Sequence, residues 1–470
     1  MKTKRLINNI LFYFMGTFAT KILQILFIPI YSIYINTSDY GYYNLILSIL
    51  TLSIPVLYQS IWEGVLRFVI DKEENAKKIL ASTSIYCFGL TIIYSLLFLV
   101  FSQLFDIKYG LLILLMAIGQ MGSSYWQFSA RAMKENKVYS ISTVVNTALT
   151  ILLNLVLILV FKWGIQTLFI ANTLGNFAMV LVIESRLKLI KQTRISLFDK
   201  DIIKAIIRYS LPLCINAISW WLISSCNSLI ISYKLGMDQN GIYSMAVRFG
   251  SIMQLVTSVV NMAWIEESFR TFGEKDSDKY FNNILNLLIR AVLSGVALLI
   301  PVTYIFYQLL VHGDYISGVY LTPIIYLNAA FTAFASHLGS GFLARKESNI
   351  IFRTTLISGL FSAISGYLTA DILGLTGVVV ASLLGTILMF VMRIPMLKKR
   401  MDLRINYIVT IGLTLFTVLL LVICNFKAGQ IMYQAIILVI TTLIVSIINK
   451  DLLFLITNKV KFVIKKGGKI

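Results

Sequence analysis

Apolar residues in this chain come in runs of about 20, repeated along its length, and a run of that size is what an α-helix needs to cross a hydrocarbon core about 30 Å thick. Inside a bilayer every backbone N–H and C=O must be satisfied within the protein, so repeated runs of this kind fold as helices. We read fourteen spans, at 8–34, 43–65, 79–103, 109–129, 140–161, 167–186, 209–234, 241–264, 284–309, 320–343, 351–371, 375–395, 405–424 and 432–449. With 58% hydrophobic and 13% charged residues over 470 positions, soluble composition is excluded. The expected fold is an all-α polytopic membrane protein.

The basic residues orient it, because Lys and Arg stay on the cytoplasmic side of short loops. Of the 41 Lys and Arg, 34 fall on the N-terminus, the alternate connections that share its side, and the C-terminal tail. Only Lys108, Lys162, Lys234 and Lys427 fall on the other connections, and Lys21, Arg248 and Arg290 lie inside spans. Both termini are expected in the cytoplasm. The net charge of +20 is then a rim facing anionic lipid headgroups, and no nucleic-acid partner is implied. The four cysteines show no metal spacing, and no small-residue cleavage site follows the first apolar run, which reads as a retained helix.

The spans repeat. An offset of 200 lays Ser32, Gly41 and Tyr43 on Ser232, Gly241 and Tyr243; an offset of 210 lays Gly164, Ala171, Leu174 and Gly175 on Gly374, Ala381, Leu384 and Gly385. Phe101, Gln103 and Leu104 likewise answer Phe306, Gln308 and Leu309, and Lys134-Glu135 answers Lys346-Glu347. The organisation expected is an N-lobe of six spans over 1–186, a basic cytoplasmic linker over 187–208, a C-lobe of six spans over 209–395, and two further helices with a basic tail over 396–470. Even span numbers give the lobes one orientation, with a central cavity expected between them. The linker reads as an amphipathic helix on the inner surface. All six prolines lie within spans, which suits bending helices and equally the ordinary tolerance of membrane helices for proline.

Lys21 lies about 20 Å into the first span, close to the bilayer midplane, where an ammonium costs roughly 2.5–3.5 kcal/mol. It needs a polar cavity or a carboxylate. Arg248 is within reach of the outer interface, Arg290 lies near an inner helix end, and Arg67 stands i, i+4 from Glu63 and is spaced to pair with it. No Asp lies at mid-depth, so a cavity lined by these groups prefers an anion; helix-end anchoring is the competing role for each. Asn146, Asn154, Asn172, Asn176, Asn216, Asn227 and Asn261 also lie at depth. With Trp220, Trp221 and Tyr243 they suit sugar hydroxyls and ring faces, while intramembrane amides equally bind helices to one another.

The stretch 209–249, YSLPLCINAISWWLISSCNSLIISYKLGMDQNGIYSMAVRF, followed by Asn261, Met262, Ala263 and Trp264, resembles the seventh and eighth helices of the bacterial polysaccharide transporter family. Asn9, Gly16, Pro29, Tyr40-Gly41, Gly64 with Arg67, and the Arg131–Lys137 loop carry the same resemblance. These are Wzx-type flippases of the multidrug/oligosaccharidyl-lipid/polysaccharide (MOP) superfamily, related to the lipid II flippase and to MATE exporters. The resemblance implies a MATE-like pair of six-helix lobes plus two C-terminal helices in the bacterial plasma membrane. It further implies translocation of undecaprenyl-diphosphate-linked oligosaccharide units from the inner to the outer leaflet for capsule, exopolysaccharide or O-antigen. Lys21, Arg67, Arg248, Arg290, Asn227 and Trp221 are the candidate substrate-binding residues. Membrane lipids, a polysaccharide polymerase and chain-length machinery are the further partners implied. Members often carry Asp-Arg in helix seven where this chain has Asn227-Ser228, which sets aside any role of that pair here.

A major facilitator would show a G-x-x-x-D-R-x-G-R-R-like second to third loop, where this chain reads RFVIDKEENAKK. A MATE-type cation-coupled drug exporter is the rival, although it would be expected to place a carboxylate at depth. An enzyme would need acid–base groups on sizeable loops, and the only histidines are His312 and His337. No catalytic set, metal cluster or phosphate loop is present in the pattern, so no enzyme and no cofactor is expected.

Overall fold

The computed structural model describes residues 27–71, 75–271 and 276–451, with the backbone alone over 255–271. Regular structure among these residues is helical throughout: α1 (Ile28–Tyr34), α2 (Thr37–Leu57), α3 (Ile61–Asp71), α4 (Ala76–Leu104), α5 (Gly110–Ala132), α6 (Asn136–Leu155), α7 (Gln166–Leu187), α8 (Leu189–Gln192), α9 (Lys200–Ser224), α10 (Cys226–Lys234), α11 (Met237–Thr271), α12 (Ser277–Leu310), α13 (Thr322–Ala344), α14 (Ser348–Lys398), α15 (Tyr407–Phe426) and α16 (Ile431–Ile448). Ten helical segments in the described part are long and apolar enough to cross a membrane. Of the first expected span, 8–34, all before residue 27 lies outside the described residues.

Several expected spans are built differently. The span 43–65 is two helices, α2 and α3, separated at Tyr58–Ser60. The span 209–234 starts earlier, at Lys200, and is divided at Ser225 between α9 and α10. Conversely, 351–371 and 375–395 join in α14, whose 51 residues would run about 77 Å if straight, more than twice a hydrocarbon core. The chain turns at Gly374, whose φ of 58° and ψ of −142° suit glycine almost alone.

The basic stretch 187–208 is not one amphipathic helix. Lys188 is left-handed and ends α7, a short α8 and a 3₁₀ turn at Ile195–Leu197 follow, and Asp199 caps α9 by accepting from Asp201 N at 2.8 Å and Ile202 N at 3.2 Å. That cap restarts the helix inside the stretch read as linker, so α9 runs from the basic segment directly into the apolar one.

Two compact units emerge from the close contacts, Met1–Ser244 and Met245–Ile470. In the first, small residues set the helix spacing, as membrane interfaces require. A Cβ on Gly64 of α3 would meet Ser210 Oγ of α9 at 2.6 Å, and one on Gly175 of α7 would meet Thr150 Oγ1 of α6 at 2.1 Å. In the second unit, Arg393 near the end of α14 is 1% exposed. Its guanidinium donates to Ala335 O (2.6 Å), Thr354 Oγ1 (3.0 Å), Thr355 Oγ1 (2.9 Å) and Ile351 O (3.3 Å), fastening the two ends of α14 to α13.

Candidate substrate site in the first unit

A break in a membrane helix frees backbone groups that only protein or an aqueous cavity can satisfy, and transporters form their binding sites at such breaks. The first unit contains two. After Pro55, Gln59 and Ser60 take φ values of 51° and 49° in succession, a conformation that costs a non-glycine residue roughly 1–2 kcal/mol. The turn is closed by Ser60 N donating to Pro55 O at 2.8 Å and Ile61 N to Tyr58 O at 3.0 Å. Tyr86 OH of α4 donates to Gln59 Oε1 at 3.0 Å, and Cys214 Sγ of α9 reaches Pro55 O at 3.4 Å.

The second break, at Ser225, is held by Ser48 of α2. Ser48 Oγ donates to Ser225 O at 2.9 Å, and Trp221 Nε1 donates to Ser48 O at 2.8 Å. One residue thus takes up both the loose carbonyl of the break and the indole beside it.

Next to these breaks runs a chain of amides. Asn172 Nδ2 lies 3.5 Å from Tyr43 OH; Gln120 Nε2 and Asn176 Nδ2 both donate to Asn172 Oδ1, at 3.4 and 2.8 Å; Asn146 Nδ2 donates to Asn176 Oδ1 at 3.1 Å. The chain links α2, α5, α6 and α7. Asn146, Asn172 and Asn176 therefore act as helix glue, with Asn176 buried and Asn146 and Asn172 half-buried. A cavity of about 220 Å³ lies between α4, α5 and α7 beside Tyr58, with Cys87, Ile118, Met121 and Phe177 among its walls. Its hydroxyls are already engaged, Tyr58 with Thr91 at 2.6 Å and Tyr125 with Thr83 at 2.8 Å, so its lining is apolar and it is smaller than a usual ligand pocket.

Charges gather at the ends of α3, α5 and α7. Arg67 pairs with Asp71 at 2.8 Å instead of Glu63, and both partners are exposed. Glu63 is half-buried in the first turn of α3, just past the break, with Arg131 as its electrostatic neighbour. Arg131 lies over the Phe128 and Tyr139 rings at 5.2 and 5.8 Å. Glu184 accepts from Trp126 Nε1 and Ile190 N, each at 2.9 Å.

The other sequence candidates separate. Lys21 lies outside the described residues. Arg248 is half-buried on α11 in the second unit, and Arg290 of α12 meets Asp451 at 2.6 Å. Asn227 is 2% exposed, donates to Tyr243 OH at 3.3 Å and leaves Oδ1 buried without a hydrogen bond. Trp221 is buried against Ser48, a helix contact where a sugar platform was expected. Sequence reasoning missed the Gln59–Ser60 break, Glu63 as a carboxylate at its edge, and Arg393, counted among loop charges.

Bilayer-length helices, two of them interrupted within their apolar stretches and the interruptions sealed by side chains of neighbouring helices, define a polytopic membrane protein. The family model described as polysaccharide biosynthesis protein matches residues 6–265, and the chain belongs to that family. No functionally curated protein matches it in sequence. Among solved structures, it resembles lipid II flippase MurJ in an inward closed conformation, with a TM-score of 0.71 at 15% identity over 94% of this chain and 100% of that one. It also resembles an inward-facing multidrug resistance MATE transporter of the MOP superfamily, with a TM-score of 0.67 at 16% identity over 81% of this chain and 96% of that one. A MATE structure in complex with MaL6 follows at 0.57 and 15%, over 83% of this chain and 97% of that one. The protein is a multi-pass membrane protein of the polysaccharide biosynthesis family, with the fold of these flippases and transporters.

Proposed function

We propose that this protein flips undecaprenyl-diphosphate-linked oligosaccharide units from the inner to the outer leaflet of a bacterial plasma membrane, supplying capsule, exopolysaccharide or O-antigen assembly. The observation that carries the reading is membership of the polysaccharide biosynthesis family over more than half of the chain. The excess of basic over acidic residues inside the apolar spans supports it, since a diphosphate is the anion such groups attract. In this reading the chain has fourteen spans with both termini cytoplasmic, lobes at 1–186 and 209–395, and helices thirteen and fourteen beyond 396. Lys21, Arg67 and Arg248 attract the diphosphate, alternating access carries the head group across, and the lipid tail stays in the bilayer. A polymerase and chain-length machinery take up the product. No enzymatic step is part of the cycle.

The MATE likeness favours a second reading, a cation-coupled drug exporter. Half-buried Glu63 is the carboxylate such a mechanism would use. Flipping of a diphosphate-linked oligosaccharide lipid in vesicles, run beside efflux of a cationic dye, separates the two. Glycolipid movement that Lys21→Ala abolishes while membrane insertion persists is the expected result. Dye efflux without glycolipid movement would assign the chain to the exporters, and full activity of Lys21→Ala would remove Lys21 from the site.

A further inference from the structure

Helix α12 carries a polar residue at every fourth position of its first half: Asp278, Asn282, Asn286, Arg290 and Ser294. Fourfold spacing places them along one ridge that climbs about 6 Å per step. Each is bonded to the segment that enters α15 or the segment that leaves α16. Asp278 Oδ2 accepts from Asp402 N at 2.9 Å. Asn282 donates to Asp402 O at 2.6 Å and accepts from Arg404 N at 3.0 Å; Asn286 donates to Arg404 O at 2.9 Å and accepts from Asn406 N at 2.7 Å. Further along, Arg290 Nη2 donates to Asp451 Oδ2 at 2.6 Å, and Asn449 Nδ2 donates to Ser294 Oγ at 2.8 Å.

The match has a geometric cause. Residues 401–406 alternate, with Met401, Leu403 and Ile405 buried and Asp402, Arg404 and Asn406 exposed, the period of an extended strand. Two residues of extended chain advance about 6.7 Å, close to the 6 Å of four helical residues. The carboxamides of Asn282 and Asn286 therefore offer one donor and one acceptor at the interval a neighbouring strand would. At the far end of α12, Gln308 Nε2 donates to Ala428 O in the turn between α15 and α16. Between these ties, Thr410, Thr417 and Cys424 of α15 and Ile437 and Thr441 of α16 are buried.

We propose that α12, α15 and α16 form one rigid body, strapped along the 278–294 ridge, with Arg290 the latch on the exit of α16. The last two helices are then a fixed brace for α12. A gate that swung away from α12 would have to break the ridge bonds together. The inference does not depend on which cargo the protein carries.

Residue-resolved hydrogen exchange on the full-length protein in lipid nanodiscs tests it. The amides of Asp402, Arg404 and Asn406 sit in an extended segment outside any helix, and α12 side chains are the acceptors the structure gives them. If the strap opens in fewer than about one molecule in a hundred, each amide is protected at least about 100-fold over unstructured peptide. That is the expected result, and smaller protection overturns the rigid body. Asn282→Ala with Asn286→Ala is expected to speed exchange at Arg404 and Asn406 at least tenfold while α4 and α5 keep their protection; unchanged exchange would show that the ridge does not hold the segment. Asn286→Asp, which keeps the acceptor for Asn406 and loses the donor to Arg404, serves should the double variant not assemble, with a smaller acceleration expected.

Discussion

Gly41 and Gly241, 200 residues apart, meet backbone against backbone: a Cβ on Gly41 would lie 1.9 Å from the carbonyl oxygen of Met237, and one on Gly241 would lie 2.0 Å from that of Thr37. The contact is reciprocal, since Thr37 precedes Gly41 by the four residues that separate Met237 from Gly241. It is a reciprocal crossing of two helix starts, at the pair of glycines that the 200-residue offset lays on each other. Thr37 Oγ1 donating to Asp238 Oδ1 at 2.7 Å, and Asn240 Nδ2 to Gly41 O at 2.7 Å, close its two sides.

An added methyl has no room there. Gly41→Ala and Gly241→Ala are each expected to lower stability by about 3 kcal/mol, the upper end of ordinary overpacking, because the obstructing atoms are backbone. Gly412→Ala, on α15 with nothing within 4 Å of its Cβ, is the control and is expected to lose nothing. Thermal unfolding of the purified variants followed by size-exclusion chromatography distinguishes them; equal melting temperatures for all three would show that the crossing yields.

Arg393 is buried against carbonyl and hydroxyl oxygens, with no carboxylate among its hydrogen-bond partners. Arg393→Ala is expected to cost about 3–5 kcal/mol, because it opens a cavity and leaves several buried oxygens short of a donor, at about 1–3 kcal/mol for each left unsatisfied. Arg393→Lys should recover little, because one ammonium cannot reproduce a planar fork that spans Ala335 on α13 and Thr354 and Thr355 on α14. Wild-type stability in the lysine variant would show that charge, not geometry, is what the site needs.

Ser48 and Trp221 hold the Ser225 break together, so their effects are expected to overlap. Trp221→Phe and Ser48→Ala each lose a hydrogen bond worth about 1 kcal/mol, Ser228 N still donating to the Ser225 carbonyl at 3.2 Å in the second variant. The double variant should lose less than the sum, as neighbours in one network do. Strict additivity in a double-mutant cycle would separate the two bonds.

Much of this fold was legible because membrane physics writes itself into composition: the apolar runs and the Gly41/Gly241 pair could be read directly. The breaks could not. Pro55 looks like any membrane-helix proline, and neither Gln59 nor Ser60 carries the glycine signature of a left-handed turn; the turn is imposed by tertiary contacts such as Tyr86 on Gln59. Arg393 sits about five turns past Gly374, just inside the expected end of its span at 395, and charge counting grouped it with the loop charges that follow. Asn172 and Asn176 were visible as amides at depth, but only their partners show that they bind helices to each other.

Acid should loosen the joint between α4 and α9. Asp199 meets Lys78 at 2.7 Å and caps α9, and the Lys78 hydrogen bond, followed by the Ile202 N–H, holds its carboxyl below the ordinary value of 3.8. A depressed carboxylate pKa contributes stability that is complete above the unfolded value and lost as pH falls through the folded one. The contribution is therefore constant at neutral pH and fades below about pH 4. Asp199→Asn keeps an oxygen for the cap but not the charge, so its stability should be lower than wild type at pH 7 and converge on it in acid. Asp199→Ala, which loses the cap as well, should stay below both at every pH. Melting temperatures of the three proteins between pH 7 and pH 3 check this, and parallel wild-type and Asp199→Asn curves would mean that Lys78 does not stabilise the folded carboxylate.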